Sequence, residues 1–381
     1  MNHIAKIFML CIVSLFMLSG CLNNDLAEQR EKDAGKGDNI IIGVPVPLEF
    51  AKKNTNFLKG IELAEADINL EKINGKEIQI KIVDDKGDFK TAVDIAQEFS
   101  EDTRMVAVIG HWFSDICIPI SSIYEDAGML MVVPTVSNPD LTEKKHKYIL
   151  QNISSDKKIA GEMSAYANDK GYQKAVIYYE ESSYGENLAD AIEDKAREND
   201  IKIVDRSSGL VTKEQFKAVY DKWKALEYDV VLLALNMPEG ATFIREFKKM
   251  DADANIISAD GLDVGNFIEV LGKDAEGVVI ATTYSPFNNR PELEQFTKKY
   301  QEKYNGKPGV WAIQGYESVQ LIAHAINETN SYSPAVLAGY LRQMQQWETV
   351  SGTISFNEYG EIEGREIYKK IVVDDHFKYI D

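Results

Sequence analysis

Hydroxyl-bearing residues follow two apolar runs of this 381-residue chain. Ser114 comes after the run Met105–Ile109, near the predicted start of a helix, where its hydroxyl and the free backbone N–H groups could bind a carboxylate. Thr135 and Ser137 lie in the turn-forming segment PTVSNP, which exposes backbone carbonyls and the Ser137 hydroxyl. The alternatives are that Ser114 only caps its helix and that the second segment is an ordinary turn.

A second set of polar residues lies further along the chain. Glu180, Tyr184, Asn236 and Asp260 each lie at or just after the end of a predicted strand. A carboxylate there could pair with a ligand ammonium group in a desolvated cleft, whereas the alternative for Asp260 is a helix cap. The argument rests on shared location, because open α/β sheets bind ligands beyond the carboxyl ends of their strands.

The elements that position these residues alternate between strand and helix. Phe57, Ile61 and Ala64 lie on one face of a predicted helix, and apolar β-branched runs on either side of it predict strands. The alternation begins near Asn39 and restarts after Ser154, which predicts two doubly wound α/β lobes with parallel sheets. The strand-poor C-terminal part is expected to complete the first lobe, so the chain crosses between the lobes more than once.

Charge and motif content exclude several classes of protein. The formal net charge of −19 would repel phosphate backbones, so nucleic acid is not expected as a partner. The chain contains no G-x-G-x-x-G, Walker A, H-E-x-x-H or G-x-S-x-G motif, and its histidines lack metal-ligand spacing. We therefore expect no cofactor, no metal and no enzymatic activity.

The N-terminus has the features of an export signal. Lys6 precedes the apolar run Ile7–Leu18, which is shorter than the ~20 residues that span a bilayer. The sequence Leu-Ser-Gly-Cys that ends at Cys21 resembles the lipobox of bacterial lipoproteins. We predict a signal peptide at 1–20, lipidation at Cys21 and a flexible tether at 21–38; the alternative is an uncleaved membrane helix.

Cysteine usage agrees with an exported fold that lacks disulfide bonds. Cys11 lies within the predicted signal peptide and Cys21 would carry lipid, so Cys117 has no partner within the chain. We interpret Cys117 as a buried structural thiol, because free cysteine is among the most buried residue types.

Short motifs spread along the chain resemble the type I periplasmic binding proteins of ABC transporters, in particular the leucine/isoleucine/valine-binding branch. They occur in family order from about Asn39 to the end, as GIELA (60–64), VIGH (108–111), IYEDAG (123–128), PTVSNPDLT (134–142), YGE (184–186), AEGV (275–278) and GTISF (352–356). The resemblance implies two lobes joined by three hinge crossings.

The expected boundaries follow from this resemblance. Lobe 1 is predicted to comprise 39–154 plus 285–355, and lobe 2 to comprise 155–284 plus 356–381. We place the hinge crossings near Asn152–Ser155, Thr283–Pro286 and Thr353–Phe356.

The resemblance also implies a role for each candidate site residue. Ser114 and Ser137 match residues whose hydroxyls hold the α-carboxylate of an amino-acid ligand. Thr135 matches a residue whose backbone carbonyl binds the α-ammonium group. Asp260 matches the acidic partner of that ammonium, a glutamate in the best-known members, and Tyr184 matches an aromatic wall residue.

Four departures from the family pattern bear on the ligand. Asp260 is shorter than the usual glutamate, and Asn236 stands where an aromatic residue often occurs. Trp112 adds bulk beside Ser114, and Leu48–Asn56 lacks a tyrosine that is often present there. These departures fit an α-amino acid but argue against a small branched aliphatic side chain.

We therefore predict an extracytoplasmic, lipid-anchored, monomeric solute-binding receptor that closes on an α-amino acid and delivers it to an ABC permease. One alternative is a ligand of the amide or urea type, which Asn236 would suit. Another is a sensory subunit that reports its ligand to a membrane kinase or chemoreceptor. A surface enzyme is disfavoured, because no nucleophile and general base can be paired.

Overall fold

Lobe 1 is built around a five-stranded sheet, and the computed structural model describes residues 26–285 and 290–380. In chain order, the first elements of this lobe are α1 (26–33), β1 (Asn39–Val46), α2 (Leu48–Asn54), α3 (Phe57–Asn69), β2 (Glu77–Asp84), α4 (Phe89–Glu101), β3 (Met105–Ile109), α5 (Ser114–Asp126), β4 (Leu130–Val133), α6 (Asp140–Glu143) and β5 (Ile149–Gln151). The strands are all parallel, in the order β2-β1-β3-β4-β5.

The chain then enters lobe 2. Its elements are α7 (Asp156–Asp169), β6 (Lys174–Tyr179), α8 (Ser183–Glu198), β7 (Lys202–Ser207), α9 (Lys213–Ala225), β8 (Val230–Ala234), α10 (Glu239–Lys248), β9 (Ile256–Ser258), α11 (Phe267–Leu271) and β10 (Val279–Thr282). These strands are parallel to one another, so their carboxyl ends share one edge of the sheet.

The rest of the chain returns to lobe 1 and then to lobe 2. The returning elements are α12 (Pro291–Tyr304), α13 (Val310–Thr329), α14 (Pro334–Gln343), β11 (Trp347–Glu348), β12 (Thr353–Phe356), β13 (Ile362–Glu363), β14 (Tyr368–Val373) and β15 (His376–Ile380). Strands β11, β12 and β13 form a small antiparallel sheet. Strands β14 and β15 complete the lobe 2 sheet, whose order is β15-β14-β10-β9-β8-β6-β7.

The apolar runs of the sequence become the buried centres of the two sheets. Every residue of β3, β4 and β8 is buried, as expected for parallel strands that are covered by helices on both faces. The C-terminal helix α13 packs closely on α3, because a Cβ on Gly60 would lie 1.9 Å from the carbonyl oxygen of Ala312. The C-terminal part therefore completes lobe 1, as the sequence predicts.

The segment predicted as a flexible tether differs from that prediction. Residues 26–33 form α1, and the Arg30 side chain in it is fully buried. Its guanidinium donates to the carbonyl oxygens of Ala127 at 3.1 Å, Asp102 at 2.9 Å and Met105 at 3.0 Å. These carbonyls lie at the ends of α4 and α5 and at the start of β3, so α1 is docked on lobe 1. The predicted signal peptide and Cys21 lie outside the described residues.

The third hinge crossing also lies elsewhere than predicted. The segment Thr353–Phe356 is β12 of the small sheet, and β13 pairs with it, so lobe 1 extends beyond residue 355. The chain crosses to lobe 2 only between β13 and β14. The first crossing lies between β5 and α7, and the second lies between β10 and α12. Pro286, at the end of the second predicted hinge, lies outside the described residues.

Arg365 ties the crossings to lobe 1. Its buried guanidinium donates to Glu317 Oε2 and to Gln314 Oε1, each at 2.6 Å, and to the Asn152 carbonyl of the first crossing at 3.0 Å. Burial lowers the pKa of Arg365, but the Glu317 carboxylate opposes this effect. The first and third crossings are thereby held side by side.

Within residues 26–285 and 290–380, none of the helices combines the length and the apolar character that crossing a membrane requires.

Candidate ligand-binding site

A cavity of about 90 Å³ lies between the two lobes, at the carboxyl ends of the strands. All of the ligand-contacting residues that the sequence predicts line it, namely Trp112, Ser114, Thr135, Ser137, Tyr184, Asn236 and Asp260. The structure therefore brings together residues from both halves of the chain, as expected when parallel strands share one edge of a sheet.

The lobe 1 side of the cavity offers hydroxyls and a helix N-terminus. Ser114 is the first residue of α5 and is buried, whereas the N-cap of this helix is Phe113. Ser114 is thus not the N-cap, the alternative that the sequence left open. Its hydroxyl lies beside the backbone N–H groups of the first helical turn, which lack intrahelical acceptors and attract anions.

Ser137 and Thr135 lie in the segment that follows β4. Ser137 is buried, and its backbone carbonyl accepts the N–H of Asp156 at 2.9 Å, which fixes the segment against the start of α7. The Thr135 hydroxyl donates to the Trp112 carbonyl at 3.1 Å and lies 3.3 Å from that of His111. This hydroxyl is therefore used within lobe 1, and a ligand contact through the Thr135 backbone carbonyl stays a prediction.

Aromatic rings form the apolar wall of the cavity. Trp112 packs edge-on against Phe50, with ring centroids 5.6 Å apart, and against Phe57 at 5.4 Å. On its other side, Trp112 meets Trp311 at 5.2 Å. Phe50 and Trp311 also line the cavity, and Val264 adds an aliphatic contact from lobe 2.

The lobe 2 side of the cavity carries a buried carboxyl group. Asp260 is 3% exposed and begins a short 3₁₀ helix, whose N-cap is Ala259, so Asp260 is not its N-cap. Burial raises the pKa of Asp260 to about 7, and the nearby carboxylate of Asp263 adds to this shift. The Tyr184 hydroxyl lies 3.4 Å from Asp260 Oδ1 and accepts the backbone N–H of Gly261 at 3.3 Å.

Asn236 is held in place by a second carboxylate of lobe 2. Glu180 accepts the backbone N–H of Asn236 at 2.7 Å and its side-chain amide at 3.0 Å. The hydroxyl of Ser182 donates to the same carboxylate at 2.7 Å. Glu180 thus fixes the two loops that follow β6 and β8.

Several residues at the site were missed or not assigned a role by sequence reasoning. Trp311 lies at the start of α13 and Phe50 lies in α2, so neither follows a strand. Phe50 could have been found as the one aromatic residue of the segment Leu48–Asn56. Asp156, at the start of α7, is fully buried near Ser137 and Asp260, and burial raises its pKa to about 8. A lone aspartate at a helix start gives no sequence signal for such a position.

Two further expectations concern cysteine and metals. Cys117 is buried and free, and burial raises its pKa to about 12, so its thiol is unreactive at neutral pH. In the described part of the chain, histidine, cysteine and carboxylate side chains form no cluster that could hold a metal ion.

Comparison with known proteins identifies the family. The model of a family described as periplasmic binding protein matches residues 41–365. The Leu/Ile/Val-binding protein homolog 2 of Brucella abortus is 29% identical over 329 residues, which cover 85% of this chain and 87% of that protein. The Leu/Ile/Val-binding protein of Escherichia coli is 27% identical and covers 81% of this chain and 83% of its own length.

A solved structure adds support for the fold and the family. An ABC transporter substrate-binding protein from Desulfitobacterium hafniense, in complex with Leu, is 32% identical with a TM-score of 0.82, over 90% of this chain and 100% of that chain. The predicted α/β class and the predicted family resemblance are therefore confirmed. Because the family model matches most of the sequence, this chain belongs to the periplasmic binding protein family, a family of extracytoplasmic solute-binding receptors.

Proposed function

We propose that this protein is a receptor that closes its two lobes on an apolar α-amino acid and presents it to an ABC permease. The observation that carries the proposal is that hydroxyls at a helix N-terminus and a buried carboxyl group lie on opposite sides of one cavity. Lobe 1 offers the Ser114 and Ser137 hydroxyls and the N-terminus of α5, which suit a carboxylate. Lobe 2 offers the buried Asp260 carboxyl, which suits an ammonium group.

Closure strengthens both polar contacts. A charge pair that is separated from water interacts far more strongly than the same pair in solvent. The ammonium of the ligand would compensate Asp260, whose ionised form is disfavoured by burial. The α-carboxylate would lie at the start of α5, where the helix dipole is favourable. An α-amino acid therefore bridges the lobes, because its carboxylate is bound by lobe 1 and its ammonium pairs with Asp260 of lobe 2, beside the Thr135 backbone carbonyl of lobe 1.

The wall of the cavity supports an apolar side chain. Trp112, Trp311 and Phe50 present aromatic surface, and Phe50 lies in the segment that lacks the expected tyrosine. Asn236 donates its amide to Glu180, so it does not require an amide ligand. The relatives named for Leu, Ile and Val, and the relative solved with Leu, support an aliphatic side chain, including the branched ones that the sequence argued against.

The location and partners of the receptor follow from the same proposal. An amino-acid receptor of this family acts outside the cytoplasm, next to a membrane permease. We propose that Cys21 carries lipid after cleavage of the signal peptide and anchors a monomer to the membrane. Mass spectrometry of the exported chain tests this, since the proposal requires an N-terminal diacylglyceryl cysteine at residue 21.

A thermal-shift screen of the purified protein tests the ligand. The panel contains the twenty amino acids, small amides and urea, each at millimolar concentration. A ligand at a thousand times its Kd stabilises the native state by about 4 kcal/mol. We expect a shift with apolar amino acids such as leucine. A shift with amides alone, or with no member of the panel, would overturn the amino-acid proposal.

A further inference from the structure

Ser183 of lobe 2 makes contacts with lobe 1 through its backbone and its side chain. Its backbone N–H donates to Asp115 Oδ1 at 3.0 Å, and its hydroxyl donates to the same oxygen. Its carbonyl oxygen accepts the side-chain amide of Asn138 at 3.0 Å. Asp115 and Asn138 both belong to lobe 1, so these three hydrogen bonds exist only when the lobes are closed.

The Asp115 carboxylate lies at the N-termini of two helices at once. It belongs to the first turn of α5 in lobe 1, and it accepts the N–H of the first residue of α8 in lobe 2. A negative charge at a helix N-terminus is stabilised by the unpaired N–H groups and by the helix dipole. Closure places the Asp115 carboxylate at the N-terminus of α8 in addition to that of α5.

A hydrogen bond within lobe 1 orients the Asn138 side chain toward lobe 2. Its Oδ1 accepts the backbone N–H of Asp140 at 2.9 Å, and this bond within lobe 1 leaves the amide nitrogen directed at Ser183. Asp115, in contrast, is exposed even in the closed structure, so opening the lobes returns it to water at little cost. The contacts therefore stabilise closure without preventing opening.

Each of these residues is the chain neighbour of a proposed ligand contact. Asp115 follows Ser114, Asn138 follows Ser137, and Ser183 precedes Tyr184. Consecutive Cα atoms are 3.80 Å apart, so a shift of one residue moves the other. A ligand that draws the ligand-contacting residues together also brings the Asp115–Ser183 and Asn138–Ser183 groups into hydrogen-bonding distance.

We propose that Asp115, Asn138 and Ser183 form a latch that holds the lobes closed and thereby sets how long the ligand stays bound. These are positioning residues, and the proposal rests on the proposed function of closure around a ligand. On the other side of the cavity, the Trp311 indole N–H donates to the Asp263 carbonyl at 2.8 Å. That contact belongs to the apolar wall, whereas the latch lies among polar residues at the start of α5 and α8.

The first test measures amino-acid binding kinetics of the full exported protein, extracted in detergent. Asp115→Ala is expected to raise the dissociation rate of the best amino acid in the screen about tenfold and to leave the association rate unchanged. Glu49→Ala is the matched control, because it removes an exposed carboxylate from the first turn of α2 in the same lobe. An unchanged dissociation rate, or an equal change in the control, would overturn the proposal.

A double-mutant cycle separates the latch from general damage. Ser183→Ala is expected to raise the dissociation rate about threefold, because the backbone N–H and carbonyl contacts remain. In the Asp115→Ala background, the same substitution should have no further effect. Additive effects would show that the two residues act separately and would contradict a shared latch.

A distance measurement distinguishes failure of the latch from failure of the proposed function. Spin labels at Gln97→Cys in lobe 1 and Glu214→Cys in lobe 2 report the separation of the lobes, while buried Cys117 stays unlabelled. Without ligand, Asp115→Ala should enrich the long-distance population relative to the parent and to Glu49→Ala. This result supports the latch even if no amino acid binds, whereas identical distributions in all three proteins would overturn it.

Discussion

The two sides of the cleft differ in their polar groups and in the partners that those groups have. Lobe 1 presents hydroxyls, a helix N-terminus, aromatic rings and the exposed Asp115 carboxylate, which accepts hydrogen bonds from Ser183 of lobe 2. Lobe 2 presents two carboxyl groups, Asp260 and Glu180, together with the Tyr184 hydroxyl. Glu180 is satisfied by three hydrogen bonds within lobe 2, whereas Asp260 is buried and forms no ion pair with any residue that the structure describes. Asp260 is therefore the group that a cationic ligand compensates.

This difference sets the energetics of closure. Asp260 lies near Asp156 and Asp263 of its own lobe, and burial disfavours ionisation, as the raised pKa values of about 7 for Asp260 and about 8 for Asp156 indicate. The proposed Ser183 latch favours closure, whereas the removal of Asp260 from water opposes it. An ammonium group from the ligand pairs with Asp260 and removes this unfavourable contribution to closure. The two lobes thus divide the recognition of one molecule, and neither lobe binds it fully alone.

Asp260→Asn should produce the largest change of binding. The substitution keeps the shape of the side chain but leaves the ligand ammonium without a negative partner in a desolvated site, at a cost of about 3 kcal/mol or more, which is over a hundredfold in Kd. Isothermal titration with the best amino acid from the screen measures this loss. Glu180→Gln is the control, since that carboxylate contacts Asn236 and Ser182, and it should cost far less. Near-equal losses would contradict the special role of Asp260.

The pH dependence of binding should be the next largest effect. Burial raises the pKa of Asp260 to about 7, so the group is protonated below that pH and must lose a proton to pair with an ammonium. Affinity should therefore fall by up to about tenfold per pH unit as the pH is lowered from 7 to 5.5. Titrations in buffers with different ionisation enthalpies would detect the released proton.

The raised pKa of Asp260 also affects the stability of the protein without ligand. Lowering the pH is expected to increase that stability, whereas it decreases the affinity for the ligand. A carboxyl group with a raised folded-state pKa binds more protons folded than unfolded between pH 4 and pH 7, so its contribution to the free energy of unfolding decreases as the pH rises. Asp260→Asn should flatten both pH profiles. A parent protein whose affinity is constant from pH 7 to 5.5 would show that Asp260 is ionised before the ligand arrives.

On the lobe 1 side, Ser114→Ala and Ser137→Ala should each weaken binding about tenfold, since each removes one hydrogen bond to a charged group. The effect is smaller than that of Asp260→Asn, because the backbone N–H groups at the start of α5 still bind the carboxylate. Comparison of an amino acid with its α-carboxamide measures the specificity of the effect. The serine substitutions should matter less for the neutral carboxamide, whereas Asp260→Asn should affect both ligands alike.

Sequence reasoning located the polar residues of the cleft because the strand ends give a positional rule. Ser114, Ser137 and Asp260 follow apolar strands, and the carboxyl ends of parallel strands meet at one edge of a sheet. Phe50 and Trp311 lie in helices, where no such rule applies. Their presence in the cavity depends on how α2 and α13 pack on the sheet, which a single sequence does not specify.

The errors of the sequence reading have a similar cause. The polar composition of 21–38 predicted a solvated tether, but Arg30 is buried because it finds backbone carbonyls at the ends of α4 and α5. Those acceptors belong to other parts of lobe 1, so the composition of residues 21–38 gives no information about them. The third hinge was placed too early because β13 has only two residues and leaves no periodic pattern.

Thr135→Val should have the smallest effect and tests whether the lobe 1 side uses side chain or backbone at this position. The Thr135 hydroxyl bonds to the Trp112 carbonyl, so the proposed ligand contact is the Thr135 backbone carbonyl, which valine retains. The change removes one neutral hydrogen bond within lobe 1, and the Kd should rise by less than about threefold. Isothermal titration beside Ser137→Ala, two residues away in the same segment, provides the comparison.

A loss of affinity for Thr135→Val as large as that for Ser137→Ala would show that the Thr135 hydroxyl itself contacts the ligand. Both polar ends of the amino acid would then depend on side chains, and the assignment of the backbone carbonyl to the ammonium would be wrong.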